Sequence, residues 1–259
     1  MDLKLRGKKA LVTGSTAGIG LAIARELARE GAQVVVNGRT QERVDAAVRA
    51  VGGTARGVAA DLGSARGAER LTESERDVDI LVNNVGIFEA KPFLEIPDED
   101  WLRFFETNVM SGVRLTRRYL PGMVQKGWGR VLFISSESAL QIPAEMIHYG
   151  VTKTAQIALS RGIAESVAGT GVTVNTVLPG PTRSEGVGAF VEGLARTRGI
   201  PAEAVEREFF RDMRPSSLLK RFATPEEVAP IVAFLASPLS VATTGAALRV
   251  DGGVVRAIV

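Results

Sequence analysis

The sequence contains no cysteine, which excludes disulfides and thiolate metal centres. It has a single histidine, His148, so a zinc site built from imidazoles is excluded as well. Aromatic residues make up only 5% of the chain, and no run reaches the ~18–20 apolar residues of a membrane span. Charge of one sign is scarce too: the formal net charge is +3, and the basic residues are dispersed rather than run together. That dispersion argues against a nucleic-acid-binding surface. The opening Met1-Asp2-Leu3-Lys4-Leu5-Arg6 has no secretory core and leads straight toward a strand, so a cytoplasmic location is expected.

What remains is an ordinary globular composition, 45% hydrophobic and 24% charged over 259 residues, ample for one buried core. Short β-branched runs alternate with amphipathic stretches, the rhythm of a parallel sheet covered on both faces. Strands are expected at Ala10-Leu11-Val12, Val34-Val35-Val36, Gly57-Val58-Ala59, Ile80-Leu81-Val82, Val131-Leu132-Phe133-Ile134, Val172-Thr173-Val174 and Ala247-Leu248-Arg249-Val250. Most lack alternation, as strands buried on both faces do. Helices are expected to begin near Gly18, Gln41, Ser64, Asp98, Tyr149 and Pro225. Thr224-Pro225-Glu226-Glu227 has the form of a capped helix start. Pro97-Asp98-Glu99-Asp100 puts three acids where a helix dipole favours them, which explains the cluster without a metal. We find no linker, so residues 1–259 are expected to form one domain, with residues 184–223 as a segment covering a substrate.

Thr13-Gly14-Ser15-Thr16-Ala17-Gly18-Ile19-Gly20 follows the first strand and opens the first helix. Glycines there permit a tight turn and let a pyrophosphate approach the amides of the helix N-terminus. A Gly-rich structural turn is the alternative. Asp61-Leu62 ends the third strand, and Asn83-Asn84-Val85-Gly86 ends the fourth, on the same edge of the sheet. Asp61 could equally cap the next helix, and the asparagines could simply form turns.

Tyr149-Gly150-Val151-Thr152-Lys153 places a phenol and an ammonium four residues apart on one helical face. A nearby positive charge favours phenolate, lowers the phenol pKa from ~10, and makes Tyr149 a candidate proton donor and acceptor. The other tyrosine, Tyr119, has no lysine four residues on. Ser136, thirteen residues before Tyr149, ends the fifth strand, where its hydroxyl can bond a substrate oxygen or cap a turn. Asn108 falls inside the helix after Asp98, a position that ordinarily faces solvent.

Taken together these motifs resemble the short-chain dehydrogenases/reductases of about this length. The matching elements are residues 13–20, Asp61, Asn83-Asn84-x-Gly86, Asn108, Ser136, Tyr149-x-x-x-Lys153, Pro179-Gly180 and the closing Thr244-Gly245…Val250-Asp251-Gly252-Gly253. The resemblance implies a single-domain, Rossmann-type, doubly wound parallel sheet of about seven strands. It also implies an oxidoreductase interconverting a carbonyl and a secondary alcohol by hydride transfer. Tyr149 would be the general acid/base, Ser136 would polarise the substrate oxygen, and Lys153 would hold the nicotinamide ribose and tune Tyr149. Asn108 would bind a water linking Lys153 to solvent. Gly14, Ser15, Thr16, Gly18, Ile19 and Gly20 would cradle the cofactor phosphates. Asp61 and Leu62 would lie at the adenine, Asn84 and Gly86 at the ribose, and Pro179, Gly180 and Thr182 at the nicotinamide carboxamide.

Three departures stand out: Val85 replaces a usual alanine, Glu137-Ser138 follow Ser136 where a small residue or glycine is common, and Ser184 replaces a threonine. The second strand ends Val36-Asn37-Gly38-Arg39-Thr40, with Gly38 where relatives using NAD often carry aspartate. An acid there accepts from both ribose hydroxyls and repels a 2′-phosphate, whereas Arg39 can pair with one. NADP(H) is therefore expected over NAD(H), the alternative being a solvated Arg39 with Thr40 capping the next helix. Related enzymes pair through the helices that here begin near Asp98 and Tyr149, which implies a homotetramer. A serine hydrolase is excluded because the Gly-x-Ser-x-Gly elbow is missing, and a P-loop enzyme because its lysine motif is missing. A non-catalytic nucleotide-binding regulator and an epimerase on this scaffold remain the alternatives. Phe88, Phe93, Phe190, Phe209, Phe210, Met213 and Phe222 could line an apolar pocket or belong to the core. Glu137, Ser138, Glu145 and His148 bracket the site without an assigned role, His148 reading equally as a solvent-facing residue at a helix start.

Overall fold

The apolar runs become strands with two buried faces. The computed structural model describes residues 2–258; the side chains of Ala189 and Phe190, and with them the expectation for Phe190, lie outside the described residues. The strands are β1 (Lys9–Val12), β2 (Gln33–Gly38), β3 (Arg56–Ala59), β4 (Ile80–Asn83), β5 (Gly129–Ile134), β6 (Val172–Pro179) and β7 (Ala247–Val250). All pair in parallel in one sheet ordered β3-β2-β1-β4-β5-β6-β7.

Successive residues feed opposite layers. Ala10, Val12, Val34, Val36, Ile80, Val82, Leu132 and Ile134 pack beneath α1 (Gly18–Arg29), α2 (Gln41–Val51) and α9 (Pro225–Ala236). Leu11, Val35, Leu81, Val131 and Phe133 face α3 (Ala65–Ser74), α5 (Ser111–Lys126) and α6 (Ile147–Ser166). At about 1.5–3 kcal/mol per fully buried aliphatic side chain, this two-sided burial is what holds strands of only four to eight residues in place. β6 continues through Asn175-Thr176-Val177-Leu178-Pro179, beyond the expected three residues. Its polar members masked the strand. Asn175 is fully buried, donating to the Thr243 carbonyl at 2.7 Å and accepting from Ala246 N–H at 3.1 Å.

The helix starts behave as their sequences direct. Thr224 accepts from Glu227 N–H, and the Glu227 carboxylate accepts from Thr224 N–H at 2.8 Å. Three acids occupy the first turn of α4 (Asp98–Phe105), where Asp100 also pairs with Arg103 at 2.8 Å and with Lys91. Among the described residues there is no cluster of side chains suited to a metal, and no helix long and apolar enough to cross a membrane.

Residues 184–223 fold as α7 (Glu185–Arg198), α8 (Ala202–Glu208) and a π-turn at Phe209–Met213. They have a core of their own, Val191, Ala195, Val205, Phe210 and Phe222, and a β-bridge from Thr182 to Ala223 joins the two ends. The rings of Phe209, Phe210 and Phe222 lie 5.0–5.1 Å apart, so these aromatics hold the segment together and do not form an open pocket wall. Phe93 and Met213 are surface-exposed.

Candidate active site

The strand order reverses between β1 and β4, which opens a crevice at their carboxyl ends. Thr13 closes its floor: Oγ1 donates to the Val82 carbonyl at 3.2 Å and accepts from the N–H groups of Asn84 and Val85 at 2.9 and 3.2 Å. The chain then turns back through Gly14 at φ +59° and Gly18 at φ +53°, conformations that side chains resist. Gly20 is required for closeness: a Cβ there would lie 2.5 Å from both Asn84 Nδ2 and the Gly14 carbonyl. The N-cap of α1 is Ala17, no side chain caps the helix, and its first turn holds no acid. Its leading amides are thus left for an external anion, which fits a dinucleotide pyrophosphate.

The polar neighbours of this turn are largely structural. Asn84 Nδ2 donates to the carbonyls of Thr13 and Gly14 at 2.9 and 3.1 Å, leaving Oδ1 for a ligand. Ser15 spends its hydroxyl on the Val12 carbonyl at 2.6 Å. Asn37, which the sequence did not single out, is buried at the end of β2. It donates to the carbonyls of Val58 and Ala60, each at 3.1 Å, and accepts from Gly14 N–H at 3.3 Å. One side chain therefore ties β2, β3 and the glycine turn together. Thr16 and Ile19 line the turn with partly buried side chains. Asp61 is exposed and accepts from Gly63 N–H at 3.0 Å; the helix cap is Ser64, accepting from Gly67 N–H at 3.1 Å, so the capping alternative for Asp61 is corrected. Leu62 is buried in the core between sheet and α3. Arg39 is exposed immediately beyond β2, and Thr40, though at the N-cap of α2, makes no capping bond. On the far side Pro179 ends β6, and a Cβ at Gly180 would lie 2.5 Å from the Asp251 carbonyl. Thr182 follows, buried, its hydroxyl on the Gly180 carbonyl at 2.9 Å.

The candidate reactive groups come from the end of β5, from α6 and from the junction of α4 with α5. That junction is a π-turn, Glu106–Met110, whose extra residue rotates Asn108 inward. Asn108 is fully buried, contrary to the solvent-facing expectation: Oδ1 accepts from Ile87 N–H at 2.8 Å, and Nδ2 donates to the Ile87 carbonyl and Thr152 Oγ1, each at 3.0 Å. Every polar atom of its side chain is engaged, leaving its backbone carbonyl as the outward acceptor, and Gln156 Nε2 donates to that at 2.6 Å. Lys153 Nζ donates to the Ile134 carbonyl at 2.9 Å and to Gln156 Oε1 at 3.2 Å, so that only its ammonium form has a third N–H to offer. Gly86 abuts it: a Cβ there would sit 3.3 Å from Nζ. Gln156 thus links Lys153 to the π-turn, a role with no spacing signature in the sequence.

Tyr149 stands one turn before Lys153, its ring edge-on to exposed Phe88 at 6.4 Å, with Nζ 5.7 Å from the ring centroid. The expected depression of the phenol by the ammonium is not what the protein does in this state. Burial pushes the Tyr149 phenol well above its usual value and the Glu137 charge adds to the rise, while Ser136 and Arg214 pull the other way. Burial also brings the Lys153 ammonium down to about 7. Tyr149 therefore holds its proton. Ser136 Oγ lies 2.5 Å from Glu137 Oε2 and accepts from Ser138 N–H at 3.1 Å. Arg214, arriving from the end of the Phe209–Met213 turn, bonds Glu137 Oε1 at 3.3 Å and Glu145 Oε1 at 3.2 Å.

His148 is not solvent-facing. It is fully buried at 4.0 Å from the Phe104 ring and 6.0 Å from that of Trp101, neither nitrogen has a partner among the described residues, and desolvation lowers its pKa. Its place among aromatics one residue before Tyr149 makes it a packing group.

Comparisons agree with this fold. Residues 14–255 match the family model described as Enoyl-(Acyl carrier protein) reductase. The chain is 50% identical, over the full length of both proteins, to the uncharacterized oxidoreductase YvaG of Bacillus subtilis (strain 168). It is 37% identical to D-beta-hydroxybutyrate dehydrogenase of Cupriavidus necator, covering 96% of this chain and 98% of that one. Among solved structures it superposes on L-sorbose reductase from Gluconobacter frateurii, complexed with NADPH and L-sorbose, with a TM-score of 0.95 and 33% identity over 100% of both chains.

The buried lysine has a measurable consequence. Its folded pKa of about 7 lies below its unfolded value of ~10.4, so between those values the unfolded chain binds more protons. Stability contributed through Lys153 should therefore rise with pH across that window and be lowest below it. Denaturant unfolding of the ligand-free protein from pH 6.5 to 10 should show that slope, and Lys153→Met should flatten it; equal slopes would refute it.

Proposed function

The chain belongs to the short-chain dehydrogenase/reductase family, and on that premise we propose that it interconverts a small-molecule carbonyl and a secondary alcohol, with Tyr149 as general acid and base. The observation that carries this reading is the convergence of Tyr149, Ser136, Lys153 and Asn108 at one sheet edge, beside a helix N-terminus with no side-chain cap.

The bound nicotinamide supplies the hydride; the protein supplies placement and a proton. Gly14, Gly18 and Gly20 admit the pyrophosphate to the amides of α1. Asn84 Oδ1 and Lys153 Nζ would hold a ribose, and Gly86 leaves room beside Nζ, where a Cβ would lie 3.3 Å away. Thr182 and the Pro179-Gly180 turn would hold the nicotinamide end, and Asp61, with the backbone of core-buried Leu62, the adenine end. Tyr149, protonated at neutral pH, gives its proton to the carbonyl oxygen as the alcohol forms, and Ser136 orients that oxygen. Asn108 acts through the π-turn: its side chain fixes the loop at Ile87, and its carbonyl anchors Gln156 against Lys153. Residues 184–223 cover the substrate.

NADP(H) is the preferred cofactor in this reading. Gly38 is buried, and a Cβ there would meet Thr16 Cγ2 at 2.3 Å, so an acid cannot stand at that strand end without displacing Thr16. Arg39 is exposed beside it to receive a 2′-phosphate. Arg43, one turn into α2, is engaged with Glu185 at 2.6 Å and so is not equally available.

Assembly follows the same logic. Val151, Ala158 and Gly162 present small exposed positions along α6, a Cβ at Gly162 would meet nothing within 4 Å, and Leu102 of α4 is 70% exposed. These faces suit close helix pairing across two-fold axes in a homotetramer.

Tyr149→Phe should cut kcat by at least ~10²-fold with NADPH affinity nearly unchanged, read by absorbance against a carbonyl panel. Turnover near wild type would refute the assignment. Arg39→Ala should weaken NADPH binding about 10- to 150-fold, the worth of a hydrogen bond to a charged group, and spare NADH. Equal losses for both cofactors would contradict it. Light scattering at micromolar concentration should give a four-chain mass, and a single-chain mass would rule out the assembly.

A further inference from the structure

The surroundings of Ser136 hold more charge than proton transfer requires. Glu137 is only 4% exposed, and burying a carboxylate is costly unless its oxygens are satisfied. Here Oε1 takes Arg214 Nε at 3.3 Å and Oε2 takes the Ser136 hydroxyl at 2.5 Å. Arg214 divides itself between Glu137 and Glu145, so two carboxylates share one guanidinium and the group bears a net negative charge.

This arrangement constrains the chemistry of Ser136. A hydroxyl has one hydrogen, and Glu137 Oε2 at 2.5 Å is the charged acceptor it meets, with the Tyr149 phenol as its other polar neighbour. Its oxygen meanwhile accepts from Ser138 N–H at 3.1 Å. Ser136 can turn its hydrogen to a substrate oxygen only if another donor satisfies Glu137 Oε2, because an unpaired buried carboxylate oxygen is expensive. A simple ketone brings no donor. A hydroxyl on the carbon next to the reacting carbonyl brings one within the reach of a carboxylate that adjoins Ser136. An oxo-acid instead brings a second negative charge toward Glu137 and Glu145.

We propose that Glu137 is a specificity-determining residue that accepts a hydrogen bond from a hydroxyl adjacent to the reacting carbonyl, which makes neutral hydroxy-ketones, the chemistry of polyols, the preferred substrates over plain ketones and oxo-acids. The inference rests on the assignment of Ser136 and Tyr149 as the reacting pair. Arg214 fixes the carboxylate from the covering segment, so substrate choice and closure of that segment share one ion pair.

The test compares 1-hydroxy-2-butanone, 2-butanone and acetoacetate as substrates with NADPH, for wild type and Glu137→Gln. The same ligands are examined by saturation-transfer NMR on the NADP⁺ complex. Wild type should favour the hydroxy-ketone over 2-butanone by about 10-fold or more in kcat/KM. The glutamine variant keeps the shape but loses the charge, and should bring that ratio below about 3-fold while raising acetoacetate relative to both. Saturation transfer should follow the same order. Equal use of the two ketones by wild type, or an equal loss on all three substrates in the variant, would overturn the inference while leaving the oxidoreductase reading standing. Hydroxyl-selective binding lost in the variant, without NADPH oxidation by any carbonyl, would do the reverse. Should Glu137→Gln fail to fold, Glu137→Gln combined with Arg214→Met removes the pair together, and the same ratio decides.

Discussion

A parallel sheet has to be covered on both faces, and that constraint governs everything else in this molecule. The five inner strands, β1, β2, β4, β5 and β6, give residues to two apolar layers, so their interiors have no room for functional chemistry. Polar groups that do work are displaced to the carboxyl edge, where chains leave the sheet and backbone groups lose their strand partners. At that edge the reversal of strand order between β1 and β4 leaves a gap that no crossover helix fills. Thr13, Asn37 and Asn84 brace the rim of that gap by pairing the backbone groups left over as the strands end.

Much of this was legible in the sequence because it is written in local signals. Apolar runs of the right length gave the strands, the Thr224-Pro225-Glu226-Glu227 pattern gave a helix start, and the glycine spacing gave the turn after β1. The four-residue separation of Tyr149 and Lys153 brought both to one place. What local pattern could not reveal was direction. Asn108 looked like a surface residue because a regular helix would have turned it outward; the π-turn, a tertiary adjustment, turns it inward. His148 looked polar and exposed because its cage, Phe104 and Trp101, lies on another helix.

The relation between Tyr149 and Lys153 shows the same gap at the level of electrostatics. Proximity along a helix suggested that the ammonium would acidify the phenol. Burial acts on both groups at once and in opposite senses, raising one and lowering the other, so each is driven toward its neutral form. The lysine is then held by the Ile134 carbonyl and by Gln156, a partner invisible to any spacing rule because it reaches back to a carbonyl forty-eight residues away.

The β-bridge between Thr182 and Ala223 gives the molecule a seam. Some forty residues leave the sheet edge and return to it at nearly the same point, enclosing an aromatic core that does not depend on the sheet for its packing. Loop closure penalises added length only slowly, by about 0.6 kcal/mol per doubling, and here the closure is made by the bridge itself. Such an excursion is a cassette: its interior can be lengthened, shortened or repacked while the register of every strand stays as it is. Such a module can change internally while the sheet edge beside it keeps its geometry, because it is tied down at a few points: Arg214 to Glu137 and Glu145, Ser216 to the Val254 carbonyl, and the amides of Leu218 and Leu219 to the Gly252 carbonyl.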